Sequence, residues 1–194
     1  MIEIKAGEIK EVSLQIKTLM IDPEEFGELD MAIVDVLQRI LYQEAVSAEE
    51  LQKMFSSEET HSIELFTEAT LKLNEDGNAE IAYRENEDDR EMSALSKIIF
   101  DPDAPQLVVM SKEGALNTYL SFEQGTTHVC TYETPFMPFK VYVNSKKVDN
   151  RLLSDGVLKL NYVLNLNDTP PQHFLVIAKI KEARTDDLLK DYLS

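Results

Sequence analysis

The chain has one cysteine and no long apolar run, and each shortage excludes a class of protein. Cys130 is the only cysteine among 194 residues, so no intrachain disulfide can form; a reducing, intracellular compartment is favoured. The most apolar stretch, residues 31–42, is interrupted by Asp35, Gln38 and Arg39, and it is shorter than the roughly 20 apolar residues needed to cross a bilayer. The first residues lack the basic start and apolar stretch of a secretory signal. We therefore expect a cytoplasmic protein.

Positive charge is also scarce. Lysine and arginine total 19 against 36 acidic residues, which gives a formal net charge of −17. Nucleic-acid-binding proteins usually present a basic patch that releases counterions from phosphates. Here the basic residues are scattered along the chain, and even Lys146-Lys147 is only a pair. We expect neither nucleic acid nor an anionic membrane as a partner.

No metal or cofactor motif is present. His61, His128 and His173 are widely separated, and the chain has no Cys-x-x-Cys, no His-Glu-x-x-His and no glycine-rich phosphate loop. The acidic run from Glu85 to Glu91 lacks the glycine-centred loop of an EF-hand, and it is interpreted as a solvated loop. The sequence predicts no bound metal and no cofactor.

His128 and Cys130 raise the question of a nucleophilic pair. Residues i and i+2 of a strand face the same way, but they stand about 7 Å apart at the base. No third group that would orient the imidazole can be identified. We therefore predict no catalytic residue and expect a protein that is not an enzyme.

The strongest pattern in the chain is an alternation of apolar and polar residues, which runs from Ile63 to Ile180. It is clearest in three sets: Ile63, Leu65, Ala69, Leu71 and Leu73; Leu158, Leu160, Tyr162, Leu164 and Leu166; and Phe174, Val176, Ala178 and Ile180. A period of two is typical of strands with one buried face. Roughly nine such segments, separated by turn signals such as Asp76-Gly77-Asn78, predict an antiparallel barrel or sandwich.

Helices are predicted only near the two ends of the chain. A first strand over residues 11–21 is followed by apolar residues at helical spacing from Leu29 to Leu41. Ser47 and Glu50 then have the spacing of a capping box that opens a second helix. We interpret residues 28–57 as a helical insertion between the first and second strands of a single domain, residues 1–194. A short C-terminal helix is predicted over residues 185–190.

The order of several motifs resembles the YwiB-like family of Gram-positive bacteria. These motifs are Phe66-Thr67-Glu68-Ala69, residues 81–85, Lys112-Glu113-Gly114, residues 120–125, Tyr132-Glu133-Thr134-Pro135-Phe136, and residues 156–162. The resemblance covers residues 62–182, the first strand extends it, and residues 28–57 lie outside it. It implies a calycin-type, lipocalin-like β-barrel whose function is unassigned, here with about 8–10 strands.

Three positions depart from the pattern of that family. Arginine is usual where this chain has Lys112, glycine is usual at the place of Ala69, and a second glycine is usual where Met137 follows the Thr-Pro-aromatic turn.

Two functional hypotheses follow. The first is a non-enzymatic barrel that encloses a small, partly apolar ligand, with Thr67, Tyr83 and Tyr162 as polar contacts. Ordinary packing, with each hydroxyl satisfied internally, is the alternative for these three residues.

The second hypothesis is a protein-interaction or self-association module. Its surface would be formed by the helical insertion, with Leu37 and Leu41 at the centre. The same apolar stripe could instead cover the open end or the flank of its own barrel.

Overall fold

The computed structural model describes residues 1–85, 93–114, 116–166 and 169–183. Within these ranges ten antiparallel strands form one closed barrel, in the order β1-β10-β9-β8-β7-β6-β5-β4-β3-β2. The strands are β1 Ile9–Ile21, β2 His61–Leu73, β3 Ala79–Glu85, β4 Ala94–Asp101, β5 Ala104–Glu113, β6 Asn117–Glu123, β7 Thr127–Glu133, β8 Pro138–Arg151, β9 Val157–Leu166 and β10 Gln172–Glu182. The prediction of an antiparallel barrel with about 8–10 strands is confirmed.

β1 closes the barrel because it pairs with the last strand, β10, as well as with β2. Ile16 lies opposite Ala178 of β10 and opposite Leu65 of β2. The other strands pair with the strand that follows them in the chain. Closure therefore gives every strand of this sheet two neighbouring strands.

The barrel interior holds the main hydrophobic core. Alternate residues of each strand face inward, as the period of two predicts. Ile81 of β3, Phe122 of β6 and the pair Leu158 and Leu160 of β9 are fully buried there.

The connection from β1 to β2 contains the predicted helices. A short 3-10 helix, Pro23–Gly27, follows Asp22, and then come α1 Met31–Leu41 and α2 Ala48–Ser56. At the start of α2, the Ser47 hydroxyl accepts a hydrogen bond from the Glu50 amide, and the Glu50 carboxylate accepts one from the Ser47 amide. This is the predicted capping box. The helix predicted over residues 185–190 lies outside the described residues, whereas a short helix α3, Leu152–Asp155, follows β8.

α1 and α2 pack against the outside of the barrel. Their apolar faces form a second core with Leu19 of β1 and with Leu175 and Ile177 of β10. The side-chain amide nitrogen of Asn161 donates a hydrogen bond of 2.9 Å to the carbonyl oxygen of Ile40 and so connects α1 to β9. The apolar stripe of the insertion therefore covers the flank of its own barrel.

The lower end of the barrel, opposite the β1–β2 connection, is closed by the N-terminal segment and by α3. The Ile2 amide donates a hydrogen bond of 2.7 Å to the carbonyl oxygen of Leu153, and both side chains pack against the main core. Gly156 ends α3 with a φ of 71°, and a Cβ atom there would lie 2.5 Å from the carbonyl oxygen of Ile180. Glycine is required at this position both for the backbone conformation and for the close approach.

Candidate functional site at the upper end of the barrel

The upper end of the barrel carries the β1–β2 connection, and several inward-facing side chains there are partly exposed. Inward-facing side chains of β2, β7, β9 and β10 in this half pack against the main core but stay partly exposed: Leu65, Tyr132, Leu166 and Phe174. The upper half of the interior, where these side chains stay partly exposed, is therefore the candidate site.

Four inward-facing residues form a polar cluster at this end: Tyr83 and Glu85 of β3, Ser96 of β4 and Lys112 of β5. Tyr83 lies opposite Ser96, and Ser96 lies opposite Lys112, so the three share one row of the sheet. The Ser96 hydroxyl donates to Glu85 Oε1 at 2.7 Å, and Lys112 Nζ donates to Glu85 Oε2 at 2.5 Å. The strand register thus brings a cation, an anion and two hydroxyls together inside the barrel.

This inward polar cluster spans the boundary between core and solvent. Ser96 is 2% exposed, whereas the side chains of Lys112 and Glu85 are 33% and 24% exposed. Burial raises the pKa of the Tyr83 hydroxyl, and the negative charge of Glu85 raises it further, while a hydrogen bond with Ser96 opposes the shift. Tyr83 therefore remains protonated at neutral pH. Polar groups in such a place interact more strongly than they would in bulk water.

An aromatic cluster lies on another wall of the interior. The ring of Tyr162 in β9 packs edge-on against Phe122 with 4.9 Å between centroids, and it stacks on Phe174 at 5.2 Å. Burial raises the pKa of the Tyr162 hydroxyl, with a smaller effect from Tyr132. The Tyr162 ring is thus packed inside the core beside its protonated hydroxyl, and Phe174, which stacks on it, stays partly exposed.

The structure separates the three predicted contact residues. Tyr83 belongs to the inward polar cluster, and Thr67 is half-buried two positions above Ala69, which lies opposite Tyr83. The Thr67 hydroxyl donates to the carbonyl oxygen of Glu68 at 3.2 Å. Tyr162 is four strands from Tyr83 around the barrel. The three residues therefore face one interior from different walls.

Comparison with known proteins identifies the family. A family model described as a domain of unknown function, DUF1934, matches residues 48–176. The chain belongs to the DUF1934 family. The matched range includes α2, which lies outside the residues that carry the sequence resemblance. No curated protein matches the chain significantly.

A solved structure shares the fold of this DUF1934 protein. The crystal structure of the ywiB protein from Bacillus subtilis matches with a TM-score of 0.57 and 10% sequence identity. The match covers 92% of this chain and 96% of that chain. The resemblance to the YwiB-like family is confirmed, and at this identity the structural likeness establishes the fold alone.

Sequence reasoning missed three members of the inward polar cluster. In the sequence, Lys112 stands out only as part of a family motif and as a departure from it, and Glu85 ends one motif and begins the acidic run interpreted as a solvated loop. The other residues of that loop lie outside the described residues. The usable signal was the alternation itself, because Lys112 continues the inward series of Val108 and Met110. Ser96 continues the inward series of β4 in the same way.

The two proposed interaction residues, Leu37 and Leu41, lie in the second core or against it. Leu37 is 3% exposed in the second core, and Leu41 packs against that core while half-buried. The side chain of Leu37 is therefore used by its own barrel, and a role for it in an interaction surface stays a prediction. Association through the helices remains a prediction. Met31 and Tyr42, each 77% exposed, are apolar side chains of the insertion that a partner could reach.

Cys130 and His128, the pair considered for nucleophilic chemistry, have different neighbours. The buried Cys130 Sγ accepts from the Ser121 amide at 3.5 Å, whereas His128 Nε2 lies 3.4 Å from Glu123 Oε2. Among the described residues, no group of three or more His, Cys, Asp or Glu side chains is placed to hold a metal ion. In the same ranges, no helix is both long enough and apolar enough to span a membrane.

Proposed function

We propose that this DUF1934 protein is a non-enzymatic, cytoplasmic binding protein that holds a small, partly apolar ligand in the upper half of its barrel. The observation that carries the proposal is the Lys112–Glu85 ion pair, which faces inward. A side chain that faces the interior of a barrel is usually apolar when the barrel is filled only by its own core. Here a cation and an anion occupy such positions, and their side chains stay 33% and 24% exposed.

The inward polar cluster and the aromatic cluster supply complementary contacts. A polar group of the ligand would bond to Lys112 or Glu85, and its apolar part would lie against the partly exposed ring of Phe174, which stacks on Tyr162. Tyr83 fixes the position of the cluster from below through Ser96, and Thr67 offers a further hydroxyl on the neighbouring wall. Sites for small molecules commonly combine a mostly apolar lining with a few polar groups of this kind.

The test is native mass spectrometry of the purified protein, followed by identification of any small molecule that is released on denaturation. A retained compound should be lost or reduced about tenfold in Lys112→Gln, because a charge-assisted hydrogen bond contributes about 1.5–3 kcal/mol. The thermal midpoint of the wild type should also rise when the compound is added back.

Lys97→Gln is the matched control. Lys97 pairs with Glu80 at 3.4 Å, with 27% and 24% side-chain exposure, but this pair lies on the outer face of β3 and β4. Equal loss of the compound in both variants would assign the effect to net charge. A crystal structure with the upper interior filled by the protein's own side chains would contradict the proposal.

A further inference from the structure

A groove lies outside the barrel, between α2 and the outer face of β1, β9 and β10. Its volume is about 250 Å³. Leu51 and Phe55 of α2 form an apolar wall, and Val157 and Ile177 form an apolar floor. The groove is separate from the barrel interior, because these strand residues face outward.

Four basic side chains surround that floor. Ile177 lies opposite Lys17 on one side and Lys159 on the other, and Val157 lies opposite Arg151 and Lys179. All four line the groove, and no acidic residue of the described chain does. This concentration is notable in a protein with 36 acidic and 19 basic residues.

Two of these cations are already paired. Lys17 lies 3.1 Å from Glu64, and Arg151 lies 3.0 Å from Asp149. Lys159 and Lys179 make no ion pair with a carboxylate of the described residues. They occupy diagonal positions on adjacent strands, where residues are about 7–8 Å apart and their Cβ atoms are somewhat closer. Two uncompensated positive charges therefore flank one apolar floor.

We propose that this groove binds a small amphipathic anion, in which a carboxylate, sulfonate or phosphate group is attached to an aromatic or aliphatic body. The anionic group would lie between Lys159 and Lys179, where charge-assisted hydrogen bonds are available. The apolar body would pack between Phe55 and Ile177. The volume of the groove suits a small molecule.

The test uses the fluorescent sulfonate 8-anilinonaphthalene-1-sulfonate and its uncharged analogue N-phenyl-1-naphthylamine, which lacks the sulfonate group. The sulfonate should bind saturably to the folded protein, and its affinity should fall with added salt. The double variant Lys159→Gln/Lys179→Gln should weaken sulfonate binding about tenfold or more. Binding of the uncharged analogue should differ little between this variant and the wild type.

Lys140→Gln/Lys181→Gln is the matched control, since both lysines are exposed on strands and lie outside the groove. Equal weakening in the two double variants would overturn the proposal, and so would unchanged sulfonate binding in Lys159→Gln/Lys179→Gln. Sedimentation tests a third outcome, in which the groove binds a second copy of the chain. A dimer of the wild type that is lost in Lys159→Gln/Lys179→Gln would show that the groove binds a second copy instead of a small anion.

Discussion

Leu37 shows how the environment of one residue decides its role. Its side chain lies between α1 and the outer face of the barrel, together with Leu19 and Leu175. Met31 begins the same helix, yet its side chain points into solvent. Both are long apolar residues of one amphipathic segment, and only one of them has been removed from water.

Truncation of each side chain should therefore have different consequences. Leu37→Ala should lower the free energy of unfolding by about 2–5 kcal/mol, because it removes buried methyl groups and leaves a cavity. Met31→Ala should change it by less than about 0.5 kcal/mol, as exposed substitutions usually do. Urea denaturation followed by circular dichroism measures both. If Leu37→Ala left stability unchanged but abolished a complex, Leu37 would belong to an interaction surface instead of the core.

At the scale of elements, α1 and α2 are joined by one ion pair. Arg39 Nη1 of α1 donates to Glu50 Oε1 of α2 at 2.6 Å, and Glu50 also completes the capping box with Ser47. The hydrogen bond from Arg39 and then the bond from the Ser47 amide lower the pKa of the Glu50 carboxyl from 4.5 to about 2. One carboxylate thus fixes both the start of α2 and its position against α1.

This lowered pKa predicts a pH dependence. A group whose pKa is lower in the folded state stabilises that state above its unfolded pKa, and the contribution is lost as the pH falls towards the folded pKa. Wild type should therefore be more stable than Glu50→Gln at pH 7, and the difference should shrink between pH 4.5 and 2. Urea titrations across this range measure it. Glu49→Gln, in the same turn of α2, is the control, and a difference that does not vary with pH would contradict the assignment.

The sequence predicted the elements better than the site because the two depend on different information. The strand alternation, the change of period at Leu29 and the capping box at Ser47 are local patterns, and each was found in the structure. The inward polar cluster depends on which residues of β3, β4 and β5 lie opposite one another. Register across three strands is not a local property of the sequence, so Glu85 and Lys112 could not be placed together beforehand.

At the scale of the whole molecule, closure of the barrel brings together groups that are distant in the chain. Lys17 and Lys179 belong to the first and last strands, yet pairing of β1 with β10 places both beside the same groove. The basic residues are scattered along the sequence, but in the folded barrel four of them line one groove. The fold therefore concentrates positive charge locally on a protein whose overall charge is strongly negative.

That overall charge predicts how stability responds to salt. At pH 7 the formal net charge is −17, and repulsion among like charges destabilises a compact state. Raising the NaCl concentration from 0.01 to 0.1 M shortens the Debye length from about 30 to about 10 Å. The repulsion should weaken and the thermal midpoint should rise. A gain of about 1 kcal/mol corresponds to about 2–4 °C for a chain of this size.

The same titration near the isoelectric point separates this repulsion from other effects of salt. The sequence pI is about 4.5, where the net charge approaches zero and little repulsion remains to be screened. Scanning calorimetry at pH 7 and at pH 4.5 should therefore show a marked salt-induced increase only at pH 7. A midpoint that falls with salt at pH 7 would mean that attractive pairs such as Lys112–Glu85 outweigh the repulsion among the excess carboxylates.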